Sequence, residues 1–191
     1  MLVEDDKDMS LSKPETDSIA IALDSLASGR VGIPPSAGKS ISEAASVCLD
    51  ERGHSSPTTM AISGKCTLSA IINWLPPSDQ AKRWWNDDEY ATEHGAYCIA
   101  ALIVEKCGLE VVERSKKKTG FDFWLAPRDS EVDLFQGLTR LEVSGIREGD
   151  STALEARVRQ KIKQTKVSDG QLPAVIVVVE FGLPVARMVE R

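Results

Sequence analysis

The stretch that decides the fold is a pair of short apolar runs separated by a polar loop. Residues 119–126 read Thr-Gly-Phe-Asp-Phe-Trp-Leu-Ala, and residues 138–146 read Leu-Thr-Arg-Leu-Glu-Val-Ser-Gly-Ile. The aromatic and alternating apolar side chains predict two strands, and the proline and charges of residues 127–131 predict a loop. Strands joined in this way can pair as neighbours, which would bring Asp122 and Glu142 to one edge of a sheet.

The two acidic side chains of this stretch suggest a metal site. Carboxylates a few ångströms apart repel each other unless a cation or a proton lies between them. Oxygen ligands of this kind suit a hard divalent ion such as Mg²⁺, with Mn²⁺ as a substitute. We therefore predict that Asp122 and Glu142 hold one divalent ion.

The composition predicts one domain with a sizeable core. The chain has 191 residues, of which 42% are hydrophobic. Lys and Arg number 23 against 29 Asp and Glu, giving a formal net charge of -6. Such a chain has no overall positive field to attract nucleic acid, so any binding of nucleic acid requires a local basic patch.

The cysteines and the apolar runs predict a protein of a reducing, cytoplasmic compartment that does not contact membranes. The four cysteines contain no C-x-x-C pair and no histidine at zinc-finger spacing, so we expect no structural zinc. The first residues are acidic where a signal peptide would be basic. No apolar run is long enough to span a bilayer.

The chain divides by composition into three parts. Residues 1–18 are polar and acidic and are predicted to be a disordered tail. Residues 19–87 are predicted to be a helical and loop-rich extension, with a short helix over 19–26 and one or two helical turns over 67–74. Residues 88–191 are predicted to be an α/β core with a mixed sheet.

Tryptophans cluster at the end of the N-terminal extension. Trp74, Trp84 and Trp85 surround a predicted helix break. Large aromatic side chains in such a cluster are usually buried, so we expect the extension to dock onto the core through them. The alternative is a surface for a protein partner, or for base stacking with Lys82 and Arg83 beside it.

The core is predicted to contain six elements in the order helix, three strands, helix, strand. Periodicity and end signals place their bounds. They are predicted at Asp88–Lys106, Leu109–Arg114, Phe121–Leu125, Leu138–Val143, Ala153–Lys166 and Val175–Phe181.

This order resembles the core of the PD-(D/E)XK, or restriction-endonuclease-like, nuclease superfamily over residues 89–181. A Glu in the first helix, an Asp on the second strand and a Glu-x-Lys on the third most resemble the Holliday-junction-resolvase branch. Glu93, Asp122 and Glu142 match the three acids. The resemblance implies an αβββαβ core and metal-dependent cleavage of phosphodiester bonds in DNA or RNA.

The chain departs from the family pattern at Ser144, which stands where the motif has lysine. In the family this lysine orients or activates the attacking water and stabilises charge in the transition state. A serine hydroxyl cannot supply that charge. Lys161 or Arg157 of the following helix could take its place.

Basic and amide side chains near the predicted acids are candidates for nucleic-acid contacts. The Lys116–Lys118 run directly precedes the Asp122 strand, and the second core helix is the most basic segment of the chain. The predicted contact residues are Lys116, Lys117, Lys118, Arg157, Gln160 and Gln164.

Three functional interpretations stay open at this point. The first is a Mg²⁺- or Mn²⁺-dependent nuclease, with Glu93 holding a second ion or a water and Lys161 replacing the missing lysine. The second is a catalytically degenerate nuclease-like module that serves binding or assembly in a nucleic-acid-processing or defence complex. Ser144, the acidic balance and the tryptophan-rich N-terminal part favour it. In the third, Asp122 and Glu142 are strand-edge acids without a role.

Overall fold

The fold is an α/β arrangement built on one mixed sheet. The computed structural model describes residues 18–128, 137–166 and 172–191. The predicted tail therefore lies outside the described residues apart from Ser18, and so does most of the predicted loop after Pro127. Within the described part, no helix is long and apolar enough to cross a membrane.

Eight strands and four α-helices make up the described chain. The strands are β1 (Ser18–Ala22), β2 (Thr58–Gly64), β3 (Leu68–Asn73), β4 (Leu109–Arg114), β5 (Phe123–Pro127), β6 (Thr139–Ile146), β7 (Ala174–Glu180) and β8 (Val185–Glu190). The α-helices are α1 (Pro35–Glu51), α2 (Asp79–Trp84), α3 (Asp88–Lys106) and α4 (Ser151–Lys166). A short 3₁₀ helix, Leu23–Ser28, follows β1.

All eight strands form a single sheet in the order β1-β3-β2-β8-β7-β6-β5-β4. Strands β1 and β3, β2 and β8, and β6 and β7 pair in parallel, and the other neighbours pair antiparallel. Helices α1 and α3 pack together, and α3 packs on β4, β6 and β7. Helix α4 packs on β6, β7 and β8 and covers a second, separate apolar cluster. The central strands are therefore enclosed between two helical layers.

The core prediction is close to the structure. Helix α3 and strand β4 have the predicted bounds, and the predicted order of six elements is present. Strand β5 begins two residues later than predicted, at Phe123, and β6 extends to Ile146. Strand β8 was not predicted, because Arg187 interrupts a short apolar run and weakens the strand signal of the sequence.

The prediction of a helical and loop-rich extension over 19–87 is wrong in part. The structure has three strands there, and they belong to the main sheet through the β2–β8 pairing. Residues 19–21 alternate with period two, and β1 pairs with β3 where helical turns were predicted over 67–74. Tertiary pairing overrides the weak helical spacing of these short segments. Residues 19–87 are thus an integral part of the sheet.

The tryptophan prediction holds for two of the three residues. Trp85 is 1% exposed and Trp74 is 7% exposed, and both belong to the main core cluster. Trp84 is 72% exposed at the end of α2. Burial of Trp74 and Trp85, as predicted, packs the segment before α3 against the core.

The cysteines differ from the predicted reduced state. Cys66 and Cys107 form a disulfide across 41 residues, joining the β2–β3 turn to the end of α3. Cys48 and Cys98 are free and buried. Burial raises the pKa of the Cys48 thiol to about 11 and that of the Cys98 thiol to about 12, which disfavours the reactive thiolate form of both.

Candidate functional site

The candidate site lies where the sheet opens between β5 and β6. The β5–β6 pairing begins with Phe123 opposite Leu141, so the rest of β6 runs beyond the start of β5. Asp122, the residue before β5, continues the hydrogen bonding to β6 at this point. Its backbone N–H donates to the Leu141 carbonyl at 2.8 Å, and its Oδ2 accepts from the Val143 N–H at 2.8 Å. The carboxylate therefore satisfies a strand N–H that β5 would otherwise have reached.

Two clefts meet at this opening. We call the larger one, of about 650 Å³, the carboxylate cleft. Its walls include Glu93, Asp122, Glu142, Ser144, Arg157 and Lys161. We call the neighbouring one, of about 490 Å³, the lysine cleft. Its walls include Arg114, Lys116, Lys117, Lys118 and Phe121. Glu93, Tyr97, Asp122, Glu142 and Gln164 line both clefts.

Helix α4 supplies polar partners to the buried polar residues of β6. Arg140, Glu142 and Ser144 alternate along β6 and share the face under α4. Along α4, Arg157, Lys161 and Thr165 recur every four residues, one turn apart. Every second residue of β6 therefore lies under every fourth residue of α4. We call this set of facing residues a ladder and each facing pair a rung.

The central rung of this ladder is a buried ion pair. Lys161 Nζ donates to Glu142 Oε1 at 2.5 Å, and the Gln164 side-chain amide donates to the same oxygen at 3.1 Å. The Glu142 side chain is 3% exposed and that of Lys161 17%. Burial, and secondly the charge of Asp122, raise the pKa of Glu142 to about 7, although Lys161 opposes the shift. Glu142 is therefore a carboxyl whose charge depends on its neighbours.

Ser144 lies one rung away and is held by arginine. Arg157 Nη1 donates to Ser144 Oγ at 2.9 Å and to the Gly145 carbonyl at 3.4 Å. A cation of α4 thus contacts Ser144. Arg157 and Lys161 both lie on the face of α4 that packs on β6, and they contact Ser144 and Glu142 respectively.

Glu93 and Asp122 are joined by a tyrosine. Tyr97 Oη donates to Glu93 Oε1 at 2.5 Å and lies 3.2 Å from Asp122 Oδ1. Burial raises the pKa of Asp122, although the Val143 N–H and Lys161 counteract it. The structure therefore brings Glu93, Asp122, Glu142, Ser144 and Lys161 together around one opening.

A Mg²⁺ ion at this site would have Asp122 and Glu142 as its protein carboxylates. The charge of Asp122 raises the pKa of Glu142, and Lys161 opposes this shift only in part, so a divalent ion would relieve the repulsion further. Among the residues that the structure describes, no group of three or more His, Cys, Asp or Glu side chains forms a ligand set. Mg²⁺ commonly keeps several waters and uses one or two carboxylates, so two acids suffice for it.

Five of the six predicted nucleic-acid residues line the two clefts. Lys116, Lys117 and Lys118 are exposed in the lysine cleft, and Arg157 and Gln164 line the carboxylate cleft. Gln160 is exposed on α4 but lines neither cleft.

Two residues of the site were missed at the level of sequence. Tyr97 lies one turn after Glu93 in α3, and this i, i+4 spacing was the available signal. Arg147 follows β6, lines the carboxylate cleft and pairs with Glu51 and Asp88. No local pattern indicates Arg147, because its partners come from two distant helices.

Comparison with known proteins finds no matching family model, no matching curated protein and no matching solved structure.

Proposed function

We propose that this protein is a metal-dependent phosphodiesterase that cleaves DNA or RNA with Mg²⁺ or Mn²⁺ held by Asp122 and Glu142. The resemblance of residues 89–181 to the PD-(D/E)XK superfamily belongs to the same proposal. Its support is the order of elements, the adjoining β5 and β6, and the meeting of three acids with one lysine at an open cleft.

The observation that carries the proposal is the contact between Lys161 and Glu142. The motif of the superfamily has its lysine two residues after the glutamate, where this chain has Ser144. Lys161 Nζ reaches Glu142 from α4 at 2.5 Å, which supplies a cation beside the same acid. An ammonium group has three protons, so one bond to Glu142 leaves others for a phosphate oxygen or a water.

The acidic residues of the site would bind the metal ion, and neighbouring donors would orient those acids. When bound, the metal ion would lower the pKa of a water and neutralise charge on the scissile phosphate. The Val143 N–H orients Asp122, and Gln164 and Lys161 orient Glu142. Glu93 adds a third acid beside Asp122 and would hold a water or a second ion.

The cations of the two clefts would bind the phosphate backbone on either side of the acids. The lysine cleft carries Arg114 and the Lys116–Lys118 run, and the carboxylate cleft carries Arg157 and Lys161. A local patch of this kind compensates for the net charge of -6. Binding through it should weaken as the salt concentration rises, because bound counterions are released from the nucleic acid.

The decisive experiment measures cleavage and metal binding together. Wild-type protein is incubated with single-stranded, duplex and branched DNA and with RNA, in Mg²⁺ or Mn²⁺, and Mn²⁺ binding is measured by calorimetry. We expect cleavage that Asp122→Asn and Glu142→Gln each abolish while the fold is retained. If the wild type neither binds a divalent ion nor cleaves any of these substrates, the proposal that the protein is an enzyme is refuted.

A matched pair of double variants tests the role of the lysine cleft. Lys116→Ala/Lys117→Ala should weaken nucleic-acid binding and reduce its salt dependence, because two phosphate contacts are lost. Lys39→Ala/Lys106→Ala removes the same charge from exposed residues that line neither cleft and should change binding much less. Equal losses in the two double variants would assign binding to overall charge.

A degenerate binding module is the second candidate, and one observation favours it. Among the residues that the structure describes, no group of three or more His, Cys, Asp or Glu side chains could hold a metal ion, and Arg157 already occupies the hydroxyl of Ser144. A module of this kind would bind nucleic acid through the lysine cleft without taking up divalent ions. Calorimetry with Mn²⁺ therefore distinguishes the two candidates.

A further inference from the structure

Tyr97 lies where the carboxylate cleft and the lysine cleft meet. It projects from α3, is 4% exposed and lines both clefts. Its hydroxyl donates to Glu93 Oε1 at 2.5 Å and lies 3.2 Å from Asp122 Oδ1. The hydroxyl thus links Glu93 of α3 to Asp122, the residue just before β5.

The ring of Tyr97 is fixed by packing that does not involve the hydroxyl. It makes an edge-to-face contact with Phe123, with ring centroids 5.1 Å apart. The Arg114 guanidinium lies over the ring, 5.1 Å from its centroid. Such aromatic and cation–π contacts hold a ring in one orientation. The hydroxyl is therefore presented to the two acids from a rigid support.

The hydroxyl has one proton and two acidic neighbours. A single proton is donated fully to only one carboxylate at a time, and the shorter contact is the one with Glu93. Asp122 Oδ2 is meanwhile held by the Val143 N–H. Asp122 Oδ1 accepts the longer Tyr97 contact, at 3.2 Å, and is the oxygen that would bind the ion.

We infer that Tyr97 is a positioning residue of the metal site, holding Glu93 and Asp122 in the arrangement that binds the divalent ion. The inference rests on the proposed function and adds a residue to it. Tyr97 acts through the two acids and is not itself a ligand. Partners of this kind, one step removed from the metal, typically change metal affinity or activity about 10- to 100-fold when they are lost.

The test is Tyr97→Phe, which removes the hydroxyl and keeps the ring under Arg114. Mn²⁺ binding is measured by calorimetry without substrate, thermal unfolding is measured without metal, and kcat and KM are measured on the best substrate. We expect Mn²⁺ affinity to fall about 10- to 100-fold. We also expect kcat to fall at saturating substrate, with KM and the unfolding temperature changing little.

The matched control is Tyr90→Phe, which changes the only other tyrosine of the chain. Tyr90 lies on the same helix, stacks on Trp85 and is 47% exposed, and it lines neither cleft. It should bind Mn²⁺ like the wild type. Glu93→Gln should lose a comparable amount of affinity, and the double variant Glu93→Gln/Tyr97→Phe should lose little more than either single change.

Each outcome decides the inference. Wild-type Mn²⁺ affinity in a folded Tyr97→Phe protein would overturn it and leave the proposed function standing. If Tyr97→Phe does not fold, Glu93→Gln decides, and undiminished affinity in that variant would overturn the positioning role. A wild type that binds no Mn²⁺ would overturn the proposed function and this inference with it.

Discussion

Strands β6 and β7 are parallel neighbours in the middle of the sheet, yet their side chains differ in kind. Both are almost entirely buried. Every residue of β7 is apolar except Glu180 at its end, whereas β6 carries Arg140, Glu142 and Ser144. In the register of the pair, Glu142 lies beside Ile176 and Ser144 beside Val178. A carboxylate and a hydroxyl thus share a covered face with aliphatic side chains.

Helix α4 explains how the difference is tolerated. Its Leu154 and Val158 form a cluster with Ile176 and Val178 of β7. Its Arg157 and Lys161 lie on the flank above β6 and bond Ser144 and Glu142. Buried polar groups are stable only when paired, so the two flanks of one helix decide what each strand can carry. The paired polar residues of β6, on an otherwise apolar face, therefore mark the position of the candidate functional site.

The largest loss of stability is expected when a carboxylate is placed on β7, the apolar strand of the pair. Ile176→Glu places a second carboxylate beside Glu142 and beneath Leu154 and Val158, and should cost more than about 3 kcal/mol of unfolding free energy. Urea denaturation followed by circular dichroism measures this. Ile71→Glu, on the exposed face of β3, is the control and should cost little. Similar losses in both would mean that α4 does not select the residues beneath it.

Removing the partner of the carboxylate on β6 should have the next largest effect. Lys161→Ala leaves Glu142 buried without its cation and should lower the unfolding free energy by about 2–4 kcal/mol at pH 8. The loss should shrink at pH 5.5, because Glu142 can then take up a proton. Lys163→Ala, at an exposed position of the same helix, is the control. A loss independent of pH would contradict the role of Glu142 in it.

The stability of the metal-free protein should depend on pH through the buried carboxyl of Glu142. The pKa of Glu142 is raised from 4.5 to about 7, and that of Asp122 is also raised. Stability from a raised carboxyl is fully present below its unfolded pKa and is lost as pH rises through the folded one. Unfolding free energy should therefore fall between about pH 4.5 and pH 7, by at most about 3 kcal/mol from Glu142. Urea titrations in chelator measure it, and Glu142→Gln should flatten the curve.

The smallest effect concerns Ser144. Ser144→Ala removes the hydroxyl that Arg157 contacts and should cost about 1 kcal/mol in the same urea assay. The control is Ser63→Ala on β2, where the half-buried hydroxyl contacts Arg187 at 3.2 Å. We expect a smaller change there because water can replace the bond. A neutral Ser144→Ala would show that Arg157 finds another partner.

Local signals were sufficient for much of the core. Helix α3 is bounded by Asp87, whose side chain accepts from the Tyr90 N–H, and by Gly108 with its positive φ of 78°. Strand β7 is apolar as far as Val179, and a continuous apolar run of this kind is typical of a strand covered on both faces. The acids were identified because Asp122 and Glu142 interrupt apolar runs, and an interruption of that kind is visible without any structure.

Long-range contacts decided the rest. The strands of residues 18–73 were missed because β1 and β3 are stabilised by each other and by the rest of the sheet, with little local signal. The Cys66–Cys107 disulfide joins residues that no spacing rule relates.

The sequence by itself determined which residues carry charge in the candidate site, because side-chain chemistry and strand or helix periodicity are local properties. The tertiary structure alone decided that Lys161 reaches Glu142, that Arg157 reaches Ser144 and that Tyr97 links Glu93 to Asp122. The physical reason is that hydrogen bonds require groups to approach within about 3 Å. Only the packing of α3 and α4 against β6 brings groups so far apart in the chain to that distance.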